Sequence, residues 1–259
     1  MREFVTAKLE LEETSATIGA SRELVAHAVD AIKAARHDIE KKIRKDNFFL
    51  TTLEPYEDSP ADGRVVQRMC AASRSAGVGP MAAVAGVIAQ EALDAMVAQG
   101  CTHGWVDNGG DVALVLETPV TVEVFSDPGS TTATMLELEP QASSFGVCTS
   151  SGRLGHSISF GNADAAVVIG KDACIADALA TALGNRVESS SSLDTCFDAV
   201  KNVDGFLGGL VLADGMAAMC GKLPRMIEGE HNPERVTTHT KMSSDRFTGR
   251  YTQITEVGT

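Results

Sequence analysis

The chain has 259 residues, enough for one large domain or two, and its 44% apolar content can fill a sizeable core. Aromatic residues make up only 5%, so that core must be built from Ala, Val, Leu, Ile and Met. A formal net charge of −13 argues against a nucleic-acid or anionic-membrane surface, because the mean field repels phosphates. An anionic ligand would need local help from backbone N–H groups, lone Arg or Lys side chains, or a metal.

From the N-terminus, Met1 to Glu13 is charged and has no apolar stretch of the kind a signal peptide needs, which predicts a cytoplasmic protein. Residues 3–18 alternate polar and apolar, as a strand or hairpin does. Ser21 is placed to cap a helix running to about Asn47, with Leu24, Ala28, Ile32, Ala35, Ile39 and Ile43 on one face. Residues 51–63 are rich in turn formers and predict a loop, followed by a short helix over 64–76. A second long helix is expected from Pro80, a good first helical residue, to Gly100, a good terminator. It is Ala-rich and apolar on most sides, which marks a buried helix, and Gly86 allows close packing. Gln90, Glu91 and Asp94 make the same segment too polar for a membrane span.

Strands follow. Gly104 to Asp107 and Asp111 to Glu117 flank the turn Asn108-Gly109-Gly110. Thr121 to Phe125 and Thr134 to Glu139 alternate as half-buried strands. Gly146 to Ser159 reads as strand, Ser/Thr/Gly loop and strand. Ala165 to Ile169 is a short buried strand, Cys174 to Asn185 a helix, and Leu193 to Val203 another. Phe206 to Ala213 and Met216 to Cys220 form a hairpin about Asp214-Gly215. From Gly221 on the chain is polar with no clear period, predicting a domain over 1–220 and an extended tail over 221–259. Hairpins interrupted by long helices define α+β with antiparallel sheets. No Gly-x-Gly-x-x-Gly and no Walker-type lysine loop is present.

Several residues can carry chemistry. Thr149, Ser150, Ser151 and Gly152 gather hydroxyls and accessible N–H groups, with Cys148 and His156 nearby. Cys148 could be a nucleophile if a neighbour lowered its pKa, or a buried inert thiol. His156 could serve as a general acid or base, or be structural. The six cysteines include no Cys-x-x-Cys pair, so they read as reduced thiols, five of them buried, with Cys148 the exception. Asp177 and Thr181 lie four apart on one helix face and could bind a hard cation such as Mg²⁺, or satisfy the helix end and backbone. Asn108, Gly109, Gly110 and Asp111 could present backbone groups and a carboxylate to a ligand, or form a tight turn only. Gly77 and Gly79 before the Pro80 helix could hold a phosphate, or simply end one helix and start the next.

The order of these segments resembles the ApbE-like superfamily of flavin transferases. The resemblance rests on Gly77-Val78-Gly79-Pro80-Met81, Asn108-Gly109-Gly110-Asp111, Thr149-Ser150-Ser151-Gly152, His156 and Ala176-Asp177-Ala178-Leu179-Ala180-Thr181. More closely, Val-Gly-Pro-Met-Ala-Ala-Val-Ala-Gly, Cys-Thr-Ser-Ser-Gly and Gly-His-Ser-x-Ser-Phe-Gly-x-Ala-Asp resemble a cytoplasmic branch of that group from archaea and anaerobic bacteria. It spans about residues 20–220. It implies an ApbE-like, T-fold-like architecture of antiparallel sheets packed with long helices. It also implies Mg²⁺ held by Asp177 and Thr181, and a flavin nucleotide, FAD or FMN, contacted by the two Gly- and Ser-rich loops. Transfer of part of that nucleotide would follow. The transferases carry His-x-x-Asp-Pro-x-x-Gly where this chain has His156 followed by Ser157-Ile158-Ser159-Phe160-Gly161. The branch is also linked to sulfur assimilation into homocysteine. That link implies a second reading, a cofactor-binding or thiol component acting through Cys148 with a protein partner in sulfur metabolism.

Overall fold

Period-two alternation builds one large sheet with two buried faces. The computed structural model describes residues 3–125, 130–141, 143–150 and 162–231, and the backbone of 253–257. The predicted Ser151, Gly152 and His156 lie outside the described residues. The chain order is β1 (Phe4–Leu11), β2 (Thr14–Ser21), α1 (Arg22–Lys45), α2 (Phe48–Thr51), α3 (Arg64–Ala76), α4 (Val84–Ala98), β3 (Gly104–Asn108), β4 (Asp111–Val115), β5 (Val120–Phe125) and β6 (Thr132–Leu138). It continues with β7 (Phe145–Ser150), β8 (Ala165–Gly170), α5 (Ala173–Gly184), β9 (Phe206–Ala213), β10 (Met216–Gly221), β11 (Arg225–Glu230) and β12 (Gln253–Val257).

Nine strands form an antiparallel sheet in the order β10-β9-β8-β7-β4-β3-β2-β1-β12, and β11-β6-β5 form a second one. Successive residues of the central strands point to opposite faces. On β4, Ala113 joins the core under the helices, while Val112 and Leu114 join the core under the small sheet. On β7, Cys148 points to the helices and Val147 to the small sheet. The result is three layers: helices, large sheet, small sheet. α4 packs against α1, α5, β3 and β4. The segment Pro80–Ala98 is apolar and long enough to cross a membrane by length and composition, and half of it is buried inside this core.

The structure departs from the sequence expectations in four places. The helix expected from Pro80 opens as a 3₁₀ turn, Pro80–Ala83, before α4 begins. The stretch between the first helix and the 51–63 loop, given no element from the sequence, forms the one-turn helix α2 and takes in Thr51. The helix expected over Leu193 to Val203 is only a 3₁₀ turn, Cys196–Ala199. Leu193, Cys196, Phe197 and Val200 are buried at helical spacing, but short tight turns meet that spacing equally well. Finally, the polar stretch 221–259 supplies β11, paired with β6, and β12, paired with β1. Pairing at a sheet edge is made by main-chain hydrogen bonds, so it leaves little apolar period to read.

Candidate functional site

The site forms where β3, β4 and β7 meet the crossing of α4 and α5. The turn Gly109-Gly110 has φ of 70° and 101°, a left-handed pair that joins two strands in two residues. It sets Asn108 opposite Asp111, and Asp111 in turn pairs with Cys148 on β7. By alternation all three side chains lie on the helix face of the sheet. Asn108 is buried, and its Nδ2 donates to the Ala85 carbonyl at 3.1 Å, tying the sheet to α4.

α5 begins at Asp172, whose side chain accepts from the Ile175 N–H at 2.9 Å as an N-cap. Gln90 of α4 reaches across and accepts from the Ala173 N–H at 2.9 Å. Gly86 makes the crossing close: a Cβ there would stand 2.2 Å from the Ala173 carbonyl and 2.7 Å from the Asp177 Cβ. That closeness lets Asp177 Oδ2 accept from the Gly86 N–H at 2.8 Å. Every residue of α5 except Asp177 is buried, so this carboxylate alone on the helix keeps access to solvent. Thr181 is buried one turn further along.

The electrostatics are those of carboxyls taken out of water. Burial raises the Asp177 carboxyl to about 7 against the pull of the Gly86 and Ala85 N–H groups. Burial, and then the charge of Asp177, push Asp111 well above the carboxylate range. Asp111 Oδ1 is buried and has no hydrogen-bond partner among the described residues. A buried carboxylate oxygen without a donor costs free energy unless a cation or proton meets it. Among the described residues no group of three or more His, Cys, Asp and Glu side chains could hold a metal. The Asp111 and Asp177 carboxylates are hard oxygen donors. That set suits Mg²⁺, which keeps several ligand positions for water and phosphate oxygens.

The structure brings together Asn108, Asp111, Cys148 and Asp177. Gly77 ends α3 with φ of 70°, and a Cβ on Gly79 would meet the Thr52 carbonyl at 2.1 Å. Gly77 therefore has a backbone reason and Gly79 a packing reason of its own. The thiol expectation is corrected. Cys148 is fully buried and donates to the Ala173 carbonyl at 3.3 Å. Burial, then the Asp111 and Asp177 charges, push its thiol up, opposite to what a nucleophile needs. The cysteine that escapes full burial is Cys220, not Cys148. Sequence reading missed the Ala85–Gly86 backbone as a partner of Asn108 and Asp177. The only signal for it was a glycine inside an apolar helix.

This helix, sheet and sheet arrangement is the fold of the ApbE proteins. The ApbE protein of Thermotoga maritima shares it with a TM-score of 0.57 at 14% identity, over 85% of this chain and 97% of that one. Residues 2–200 match the family described as AbpE bacteria. A UPF0280 protein of Methanocella arvoryzae is 45% identical over 233 residues, 90% of this chain and 95% of its own length. One from Archaeoglobus fulgidus is 39% identical over 242 residues, 92% and 99% respectively. The chain belongs to the ApbE-like family and, within it, to the UPF0280 proteins.

Proposed function

We propose that the chain binds a flavin adenine dinucleotide with a divalent metal and passes its FMN part to an acceptor hydroxyl, the pyrophosphate P–O bond breaking as the new P–O bond forms and AMP leaving with the hydroxyl's proton. The observation that carries this reading is the facing pair Asp111 and Asp177, with one buried carboxylate oxygen lacking a donor. Family membership supplies the ligand class. Asp177, Thr181 and Asp111 would hold Mg²⁺. When bound, the metal supplies positive charge to the pyrophosphate at which the nucleotide is cleaved.

The chain's own residues do the rest. Asn108 holds the α4 backbone against the sheet, and Gly86 holds Asp177 in place. The backbone N–H groups of the Gly109-Gly110 turn and the hydroxyls of Thr149 and Ser150, with Ser151 and Gly152, are assigned to the nucleotide. His156 is assigned to the acceptor or leaving-group proton. The Gly77 and Gly79 segment, which leads into the Pro80–Ala83 turn, is assigned to the phosphates.

Calorimetric titration with FAD, FMN and ATP, with and without Mg²⁺, tests the reading. FAD should bind, and Mg²⁺ should tighten it roughly tenfold or more, a gain of about 1.4 kcal/mol. Asp177→Asn should bind FAD without the Mg²⁺ gain. Failure of all three nucleotides to bind at millimolar concentration overturns the proposal.

A further inference from the structure

Among the buried residues of α4, Gln90 alone is polar. It is 1% exposed, and a buried amide costs free energy unless both of its ends find partners. Its Oε1 accepts from the Ala173 N–H at 2.9 Å, and its Nε2 donates to Asp94 Oδ1 at 2.8 Å. A carboxylate accepts and a backbone N–H donates, so these two partners fix which way the amide points. Asp94 Oδ2 is held in turn by Arg68 of α3 at 2.8 Å, and Arg68 also donates to Glu91 at 2.6 Å. Gln90 is therefore anchored on one side by charged groups and aimed on the other at the first residue of α5.

The first N–H groups of a helix have no partner inside it. Asp172 takes the N–H of Ile175, and the N–H of Ala173 goes to Gln90. Ala173 is also the residue around which the site is packed. Gly86 and Gly146 make room for its backbone on two sides: a Cβ on them would stand 2.2 Å from its carbonyl oxygen and 2.4 Å from its Cα. Cys148 donates to the same carbonyl. Asp177 follows one turn later, with its carboxylate on the Gly86 N–H. Close packing of this kind fixes how near α5 comes to α4 and the sheet. It does not fix where α5 stops along its own axis, because Gly86, Gly146 and Gly170 meet Ala173 and Ala176 through small, smooth surfaces. A slide of one residue would carry Asp177 about 1.5 Å along that axis and off the Gly86 N–H. A buried hydrogen bond to one particular donor does select a register, as a single buried polar side chain does between coiled-coil helices.

We infer that Gln90 is a positioning residue: it sets the register of α5 on α4 and so places Asp177 beside Asp111. What Asp177 then binds rests on the function proposed above, whereas its placement by Gln90 does not. Hydrogen exchange of the Gly86 amide in the metal-free full chain reads that placement, because this N–H donates to Asp177. Gln90→Leu should speed Gly86 exchange by about tenfold or more, the equivalent of one lost hydrogen bond. Leu136→Ala, in the core on the far side of the large sheet, is the control for lost stability. It should leave Gly86 exchange in its wild-type proportion to global unfolding. Gln90→Glu keeps an acceptor for the Ala173 N–H and should restore slow exchange. In FAD titrations the Mg²⁺ gain should fall in Gln90→Leu and return in Gln90→Glu. Gln90→Met, unbranched like glutamine but without the amide, carries the same test should Gln90→Leu not fold. Gly86 exchange raised in Gln90→Leu no more than its lost stability accounts for overturns the inference. So does a Gln90→Glu variant that exchanges as fast as Gln90→Leu. A wild type without any Mg²⁺ gain overturns the proposed function alone, since Gly86 exchange is read without metal.

Discussion

Asp111 and Asp177 make the stability of the metal-free protein depend on pH in a particular direction. Burial lifts Asp177 from its ordinary 3.8 to about 7 in the folded chain. The folded state therefore keeps a proton that the unfolded chain gives up, so this contribution is complete below about pH 4 and is lost as pH rises through about 7. With a chelator present, the melting temperature should fall from pH 5 to pH 8 by the equivalent of a few kcal/mol, on the order of 1–3. Mg²⁺ should raise it more at pH 8 than at pH 5. Asp111→Asn removes the second carboxyl that burial raises, so it should flatten the pH dependence and weaken the Mg²⁺ effect. Scanning fluorimetry over that range measures both. The buried Cys148 carries a second expectation at this scale. In the native protein at neutral pH it should stay unlabelled by iodoacetamide and react only in denaturant, as peptide mapping reads directly. Native labelling of Cys148 faster than Cys70 would restore the thiolate reading.

Two contacts between elements decide whether the helix layer holds the site. Gly86→Ala puts a methyl group 2.2 Å from the Ala173 carbonyl, which is backbone and cannot swing away. α4 and α5 must separate, at a cost of about 1–3 kcal/mol. The separation also pulls the Gly86 N–H from Asp177, so urea denaturation and Mg²⁺ affinity should worsen together. The second contact ties α1 to the segment after it. Lys42 and Asp62 are both buried and pair at 2.7 Å, and the Lys42 ammonium lies 4.9 Å from the Tyr56 ring centre. Burial, the largest single influence, would raise the Asp62 carboxyl, but the Lys42 hydrogen bond, the Ser59 N–H and the Lys42 and Lys45 charges together outweigh it and hold Asp62 below its usual value. Its contribution is therefore present above about pH 4 and lost as pH falls through the depressed value. Lys42→Met strands a buried carboxylate and should cost about 3–5 kcal/mol at neutral pH. Lys42→Met/Asp62→Leu should recover most of that loss, which a chemical denaturation series would resolve.

At the scale of the whole molecule, the long helices, the Asn108-Gly109-Gly110-Asp111 turn and most strands were legible along the chain. Each is set by local period, caps or turn residues acting within a few positions. The pairing of Asp177 with the Asn108 to Asp111 turn was legible only through motif order, because nothing in a one-dimensional pattern brings residues 111 and 177 together. The buried, proton-holding state of Cys148 was not legible at all. A strand's alternation gives two faces but not which face meets the helices, and a shift of one residue exchanges them. The strands β11 and β12 escaped notice because edge pairing spends main-chain hydrogen bonds rather than apolar periodicity. By itself, then, the sequence determined the α+β class, the presence of the long helices, the Asn108 to Asp111 turn and the family. Only the tertiary structure decided that two carboxylates from different elements, one buried and one half-buried, stand together, that a glycine inside α4 holds one of them, and that the neighbouring thiol is buried and pushed up in pKa. Burial and charge proximity are properties of packed surfaces, and packing is set by contacts far apart in the chain.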